Sequence, residues 1–118
     1  MKLNRWVVIL GSLLLMSGCN LCSDTIKSGS VSQDNALKAT VFIRDCGATT
    51  DFSTIVSLHR PNSGYRDEAN FIFVAKGEHP LHVEWNNSHK LILECASCQR
   101  KDIFREVVKL GKIDIEYR

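Results

Sequence analysis

From residue 38 onward apolar, strand-favouring residues gather in short runs separated by polar connections, the pattern of successive strands. In KATVFIRDC, Val41 and Ile43 fall on one face and Phe42 on the other; TIVSLHR follows with Val56 and Leu58 in phase, opposite Ile55 and Ser57. NFIFVA, PLHVEW and KLILEC come next, separated by the polar connections KGEH and NNSH. Runs of about six residues with such short turns predict antiparallel hairpins. Near the end, Ile103, Phe104, Val107 and Val108 in DIFREVVKL lie close to helical spacing, so this stretch predicts a short C-terminal helix or a bent strand. KIDIEYR then alternates Ile113, Ile115 and Tyr117. The expected fold is mainly β: a small antiparallel sandwich or curled meander of six to seven strands.

The first eighteen residues follow another grammar. Lys2 and Arg5 precede an apolar run from Trp6 to Leu15, and Met16-Ser17-Gly18 lead into Cys19. A membrane-spanning helix needs about 20 apolar residues, and this run is about half that, so it reads as an export signal that is removed. Leu15-Met16-Ser17-Gly18-Cys19 resembles the lipobox of bacterial lipoproteins. That resemblance implies cleavage before Cys19 and acylation of its sulfur. Met16 departs from the usual leucine three residues before the cysteine. The resemblance further implies a membrane-anchored, periplasm-facing protein, and Asn20, not being aspartate, favours the outer membrane over the inner. Two or three acyl chains on one residue hold a protein at a membrane far more firmly than one. The expected organisation is a signal peptide at 1–18, a lipidated cysteine and flexible tether at 19–33, and a single β domain at 34–118.

Removal of the signal alters the charge balance. The full chain has 15 Lys plus Arg against 13 Asp plus Glu, and loss of Lys2 and Arg5 leaves 13 of each sign. Neutrality gives no support to nucleic-acid binding. No cofactor motif is present either: there is no phosphate-cradling glycine loop and no G-x-S-x-G elbow.

Beyond Cys19 stand Cys22, Cys46, Cys95 and Cys98. An exported chain favours disulfides, and the expected structural bridge joins Cys46 to Cys95 or Cys98, with Cys22 in the tether unpaired or intermolecular. The C-A-S-C pair also suggests a redox dithiol or a metal site. However, KLILEC predicts a strand before it, where redox pairs use a helix N-terminus, and no second pair of ligands stands at zinc-binding spacing. A structural bridge is therefore the preferred reading, with no metal.

RDCGATTDFST crowds Thr49, Thr50 and Asp51 into one connection, a candidate ligand loop. The same side chains can instead cap their own backbone as a self-bonded turn, which is preferred. Together with ALKATVF and VSLHR this run resembles an uncharacterised family of small exported bacterial proteins with a C-G-A-T-T core, over about residues 34–60. That resemblance implies a family-level domain and no mechanism. His82 and Glu84, joined by His79 or His89, could ligate zinc, but a solvated strand face is the simpler reading. His59 is a candidate base without a recognisable nucleophile. The resulting expectation is a non-enzymatic binding or accessory domain of the envelope, such as an inhibitor or immunity protein; the alternatives are a cell-envelope hydrolase and a purely structural lipoprotein.

Overall fold

A computed structural model describes residues 22–47 and 49–118. The expected signal peptide, residues 1–18, and the expected lipidation site Cys19 lie outside the described residues. The fold is mainly β, and the described residues form nine strands in two sheets: β1 (Ser23–Val31), β2 (Lys38–Asp45), β3 (Ser53–His59), β4 (Phe71–Lys76), β5 (His82–Asn87), β6 (Lys90–Glu94), β7 (Ile103–Glu106), β8 (Lys109–Leu110) and β9 (Ile113–Tyr117). The first sheet runs β1-β2-β3-β4-β7, antiparallel throughout. The second runs β5-β6-β9-β8 and is mixed, because β9 lies parallel to β6.

Three expectations are corrected. Within the stretch expected as tether, Ser23–Val31 form β1, so the β domain reaches back at least to Ser23 and does not start at residue 34. SDTIKSGSV carries little apolar signal, and its order comes from a backbone ladder with β2, interrupted by a bulge between Ile26 and Ser28. Bulges and an exposed lysine are usual devices on an edge strand. Second, of the helix and the bent strand expected for DIFREVVKL, the helix is not formed and the strand is: after one 3-10 turn at Arg100–Asp102 the chain enters β7, where Glu106 pairs with Phe73 and Val107 N–H donates to the Ile72 carbonyl at 2.8 Å. Pairing with β4 outweighs the helical spacing, as tertiary context does for β-branched residues. Third, these additions raise the strand number from six or seven to nine.

Alternation along the strands fills two cores. Ala39, Val41, Val56, Leu58, Phe73 and Ala75 of the first sheet face Leu91, Leu93, Ile113 and Ile115 of the second. On the opposite face of the first sheet, Phe42, Ile55 and Phe71 form a smaller cluster. The β3–β4 connection folds over that face, setting the Tyr65 ring 4.7 Å from Phe42. A register shift at Ile72 sends Phe71 and Phe73 to opposite faces, so β4 supplies both cores. Burying one such aromatic or aliphatic side chain contributes about 1.5–3 kcal/mol. The sheets are also tied by polar contacts. Trp85 Nε1–H donates to the Ser30 carbonyl at 3.0 Å, and the Tyr117 hydroxyl lies 2.6 Å from the Val107 carbonyl and 3.1 Å from that of Ile72.

Candidate functional site

Strand register collects the chemistry-bearing residues at one end of the sandwich. Ser23 pairs with Asp45, so the next positions outward, Cys22 and Cys46, stand opposite each other. They form a disulfide with their Cα atoms 3.9 Å apart. A second disulfide joins Cys95 and Cys98 in the turn after β6. The expected bridge from Cys46 to Cys95 or Cys98 is therefore overturned, and Cys22 is paired within the chain. The physical cause is β1: once residues 23–31 are a strand, Cys22 is the nearest partner for Cys46.

The connection from β4 to β5 approaches the second disulfide from the side. Gly77 has φ of +93°, a left-handed conformation that favours glycine, and an added Cβ would lie 3.1 Å from His79 Nε2. Its N–H donates to the Phe52 carbonyl at 2.6 Å and its carbonyl accepts the Thr54 hydroxyl at 2.7 Å. The Thr54 oxygen in turn accepts the His79 N–H at 2.9 Å. These bonds pin the backbone on both sides of the imidazole.

The ring of His79 is oriented by its two neighbours. Nε2 lies 2.8 Å from the Lys76 carbonyl, which can only accept, so the ring proton sits there. Nδ1 is then the acceptor, 2.8 Å from Ser97 Oγ, and its lone pair faces the turn between the two cysteines. A His79 ring nitrogen and the sulfurs of Cys95 and Cys98 all lie within 4.8 Å of one another. Cys95 and Cys98 also line a cavity of about 230 Å³, together with Phe73, Leu93, Arg100 and Arg118.

Other candidates occupy different places. Thr49, Thr50 and Asp51 are exposed. Thr50 donates to the Gly47 carbonyl through both N–H and hydroxyl, each at 3.2 Å, while Asp51 reaches Lys76 at 3.2 Å. Thr50 is thus bonded within the loop, while Asp51 is paired with β4. His82 and Glu84 form an exposed pair at 3.6 Å on β5, and His89 is exposed in the β5–β6 turn. His79 stands with the cysteines instead of joining these two.

His59 meets a hydroxyl that the sequence did not pair with it. Thr40 Oγ1 and His59 Nε2 are 2.7 Å apart, and His59 Nδ1 donates to the Arg60 carbonyl at 2.7 Å, leaving Nε2 to accept from Thr40. A hydroxyl, an imidazole and an orienting acceptor in line are the elements of an activated nucleophile. Here they are sealed: Thr40 is 3% exposed and His59 6%, on the face covered by the β3–β4 connection.

A charged cluster also sits at the disulfide-bearing end. Asp24 accepts from Arg44 Nε at 2.9 Å and Nη2 at 3.1 Å and from the Tyr65 hydroxyl at 3.2 Å, and forms an ion pair with Arg66 Nε at 3.2 Å. The Arg44 guanidinium lies over Phe42 and Phe71, at 5.3 and 5.6 Å from the ring centres. The Arg44 hydrogen bonds hold the Asp24 carboxyl below its ordinary value, despite its burial. Burial, and then the Asp24 charge, push the Tyr65 phenol up. This cluster went unread in the sequence because it spans β1, β2 and the β3–β4 connection.

No protein-family model matches the chain, and neither a curated protein nor a solved structure is similar to it at a significant level.

Proposed function

We propose that this is a lipid-anchored envelope protein, tied through Cys19 to the periplasmic face of a membrane, the outer in preference to the inner. Its β domain binds a protein or envelope component without transforming it, as an inhibitor, immunity protein or accessory would. The observation that carries the reading is the Cys22–Cys46 clamp. Cys22 follows Cys19 by three residues, and three residues span at most about 10 Å. An anchor at Cys19 would therefore hold the disulfide-bearing end against the headgroups and turn the opposite end, with the 32–37 and 87–90 turns, toward the periplasm.

The non-catalytic part of the proposal draws support from the sealed Thr40–His59 pair. Both partners are packed inside, where they satisfy each other and the Arg60 carbonyl, as buried polar groups generally do. The test is affinity purification of the mature protein from membranes in mild detergent. The expected result is one envelope component at constant stoichiometry, retained by a folded Thr40→Val variant. Turnover of an envelope substrate that Thr40→Val abolishes would replace the binding reading with the hydrolase one.

A further inference from the structure

The Cys95–Cys98 disulfide and His79 form a ligand set that no functional reading so far has used. We propose that reduction of this disulfide creates a three-ligand site for a soft or borderline d10 cation, Zn(II) or Cu(I), built from Cys95 Sγ, Cys98 Sγ and His79 Nδ1. This places metal binding where the sequence favoured a purely structural bridge.

Three observations converge on it. The three side chains already lie within 4.8 Å of one another, although His79 enters from the β4–β5 connection and the cysteines from the turn after β6. The imidazole is held as a metal-binding histidine usually is, with its N–H given to a backbone carbonyl so that the other nitrogen presents a lone pair. That lone pair is turned toward the cysteine turn, where Ser97 Oγ now occupies it. In addition, Gly77 leaves room beside the ring that a side chain would take. All three ligands are partly buried, and the cavity beside the sulfurs gives a cation or a reductant a way in.

The chemistry balances with a dithiol as reductant. Two electrons and two protons pass from the dithiol to the sulfurs; the S–S bond breaks, two thiols form, and the dithiol becomes a disulfide. The cation then displaces both thiol protons to water, and His79 Nδ1 exchanges the Ser97 hydroxyl for the metal. Two thiolates and one imidazole suit Zn(II) with a water as fourth ligand, or three-coordinate Cu(I). The oxidised protein has no thiolates here, so binding is gated by redox state.

The test is a Co(II) titration of the full-length protein in detergent, with a phosphine reductant, read by thiolate-to-cobalt absorption. The reduced protein should bind one equivalent and the oxidised protein none. Losing even a partner of a ligand costs about 10–100-fold in metal affinity, so His79→Ala should weaken binding at least tenfold. Ser97→Ala keeps all three ligands and should bind at least as tightly as the wild type. Cys22→Ser/Cys46→Ser, which removes the other thiol pair, should retain the site. The proposal is overturned by a reduced protein that binds no Co(II) or loses its β-sheet circular dichroism, by unchanged affinity in His79→Ala, or by loss of binding in Cys22→Ser/Cys46→Ser.

Discussion

Asp24→Ala should destabilise the domain by about 3 kcal/mol, seen as a lower urea midpoint at an unchanged slope. The Asp24 side chain is only 3% exposed, and its carboxylate takes hydrogen bonds from Arg44 and Tyr65 and pairs ionically with Arg66. Removing it strands the Arg44 guanidinium over the Phe42 and Phe71 rings without its carboxylate partner. Breaking a fully buried pair this way costs about 3–5 kcal/mol, and the lower bound applies because Arg44 keeps some access to water. Arg66 is 62% exposed, so Arg66→Ala should cost well under 1 kcal/mol. Equal losses in the two variants would mean that the carboxylate matters only as surface charge.

Acid should expose the same linkage. Because folding lowers the Asp24 pKa, the stability it contributes is fully present above the unfolded value of about 3.9 and is lost as pH falls through the folded value. The stability difference between wild type and Asp24→Asn should therefore be constant above about pH 5 and shrink on acidification below about pH 4.

The two disulfides should differ in weight. Cys22–Cys46 closes a separation of 24 residues and Cys95–Cys98 a separation of 3. Loop-closure entropy then assigns about 3.4 kcal/mol to the first and about 1.6 kcal/mol to the second. The first also fastens β1, whose outward positions bury little. Cys22→Ser/Cys46→Ser should consequently lower the urea midpoint more than Cys95→Ser/Cys98→Ser, and speed amide exchange along residues 23–31 and 38–45. A larger loss from the Cys95–Cys98 pair would show that the short bridge is the main staple and would weaken the case for its reversible opening.

These predictions rest on features of uneven legibility. β2 to β6 could be read directly because each is a run of five to eight residues rich in apolar, strand-favouring side chains and bounded by polar turns, although only β5 alternates in burial. β1 could not: in SDTIKSGSV only Ile26 and Val31 are large and apolar, both exposed, and the strand exists through its ladder with β2. Missing β1 carried over to the cysteines, since only the register of Ser23 on Asp45 places Cys22 opposite Cys46. DIFREVVKL left a helix and a bent strand open, and pairing with β4 decides for the strand. The Thr40–His59 contact follows from strand register, and that of His79 with Cys95 and Cys98 from two connections meeting at one end; neither leaves a local motif.

Anchorage at Cys19 is the central claim, and the mass of the N-terminal peptide from membrane-extracted protein tests it most directly. The account predicts a peptide that begins at Cys19 and carries acyl chains on that residue. A peptide that retains residues 1–18, or one with an unmodified Cys19, would contradict it.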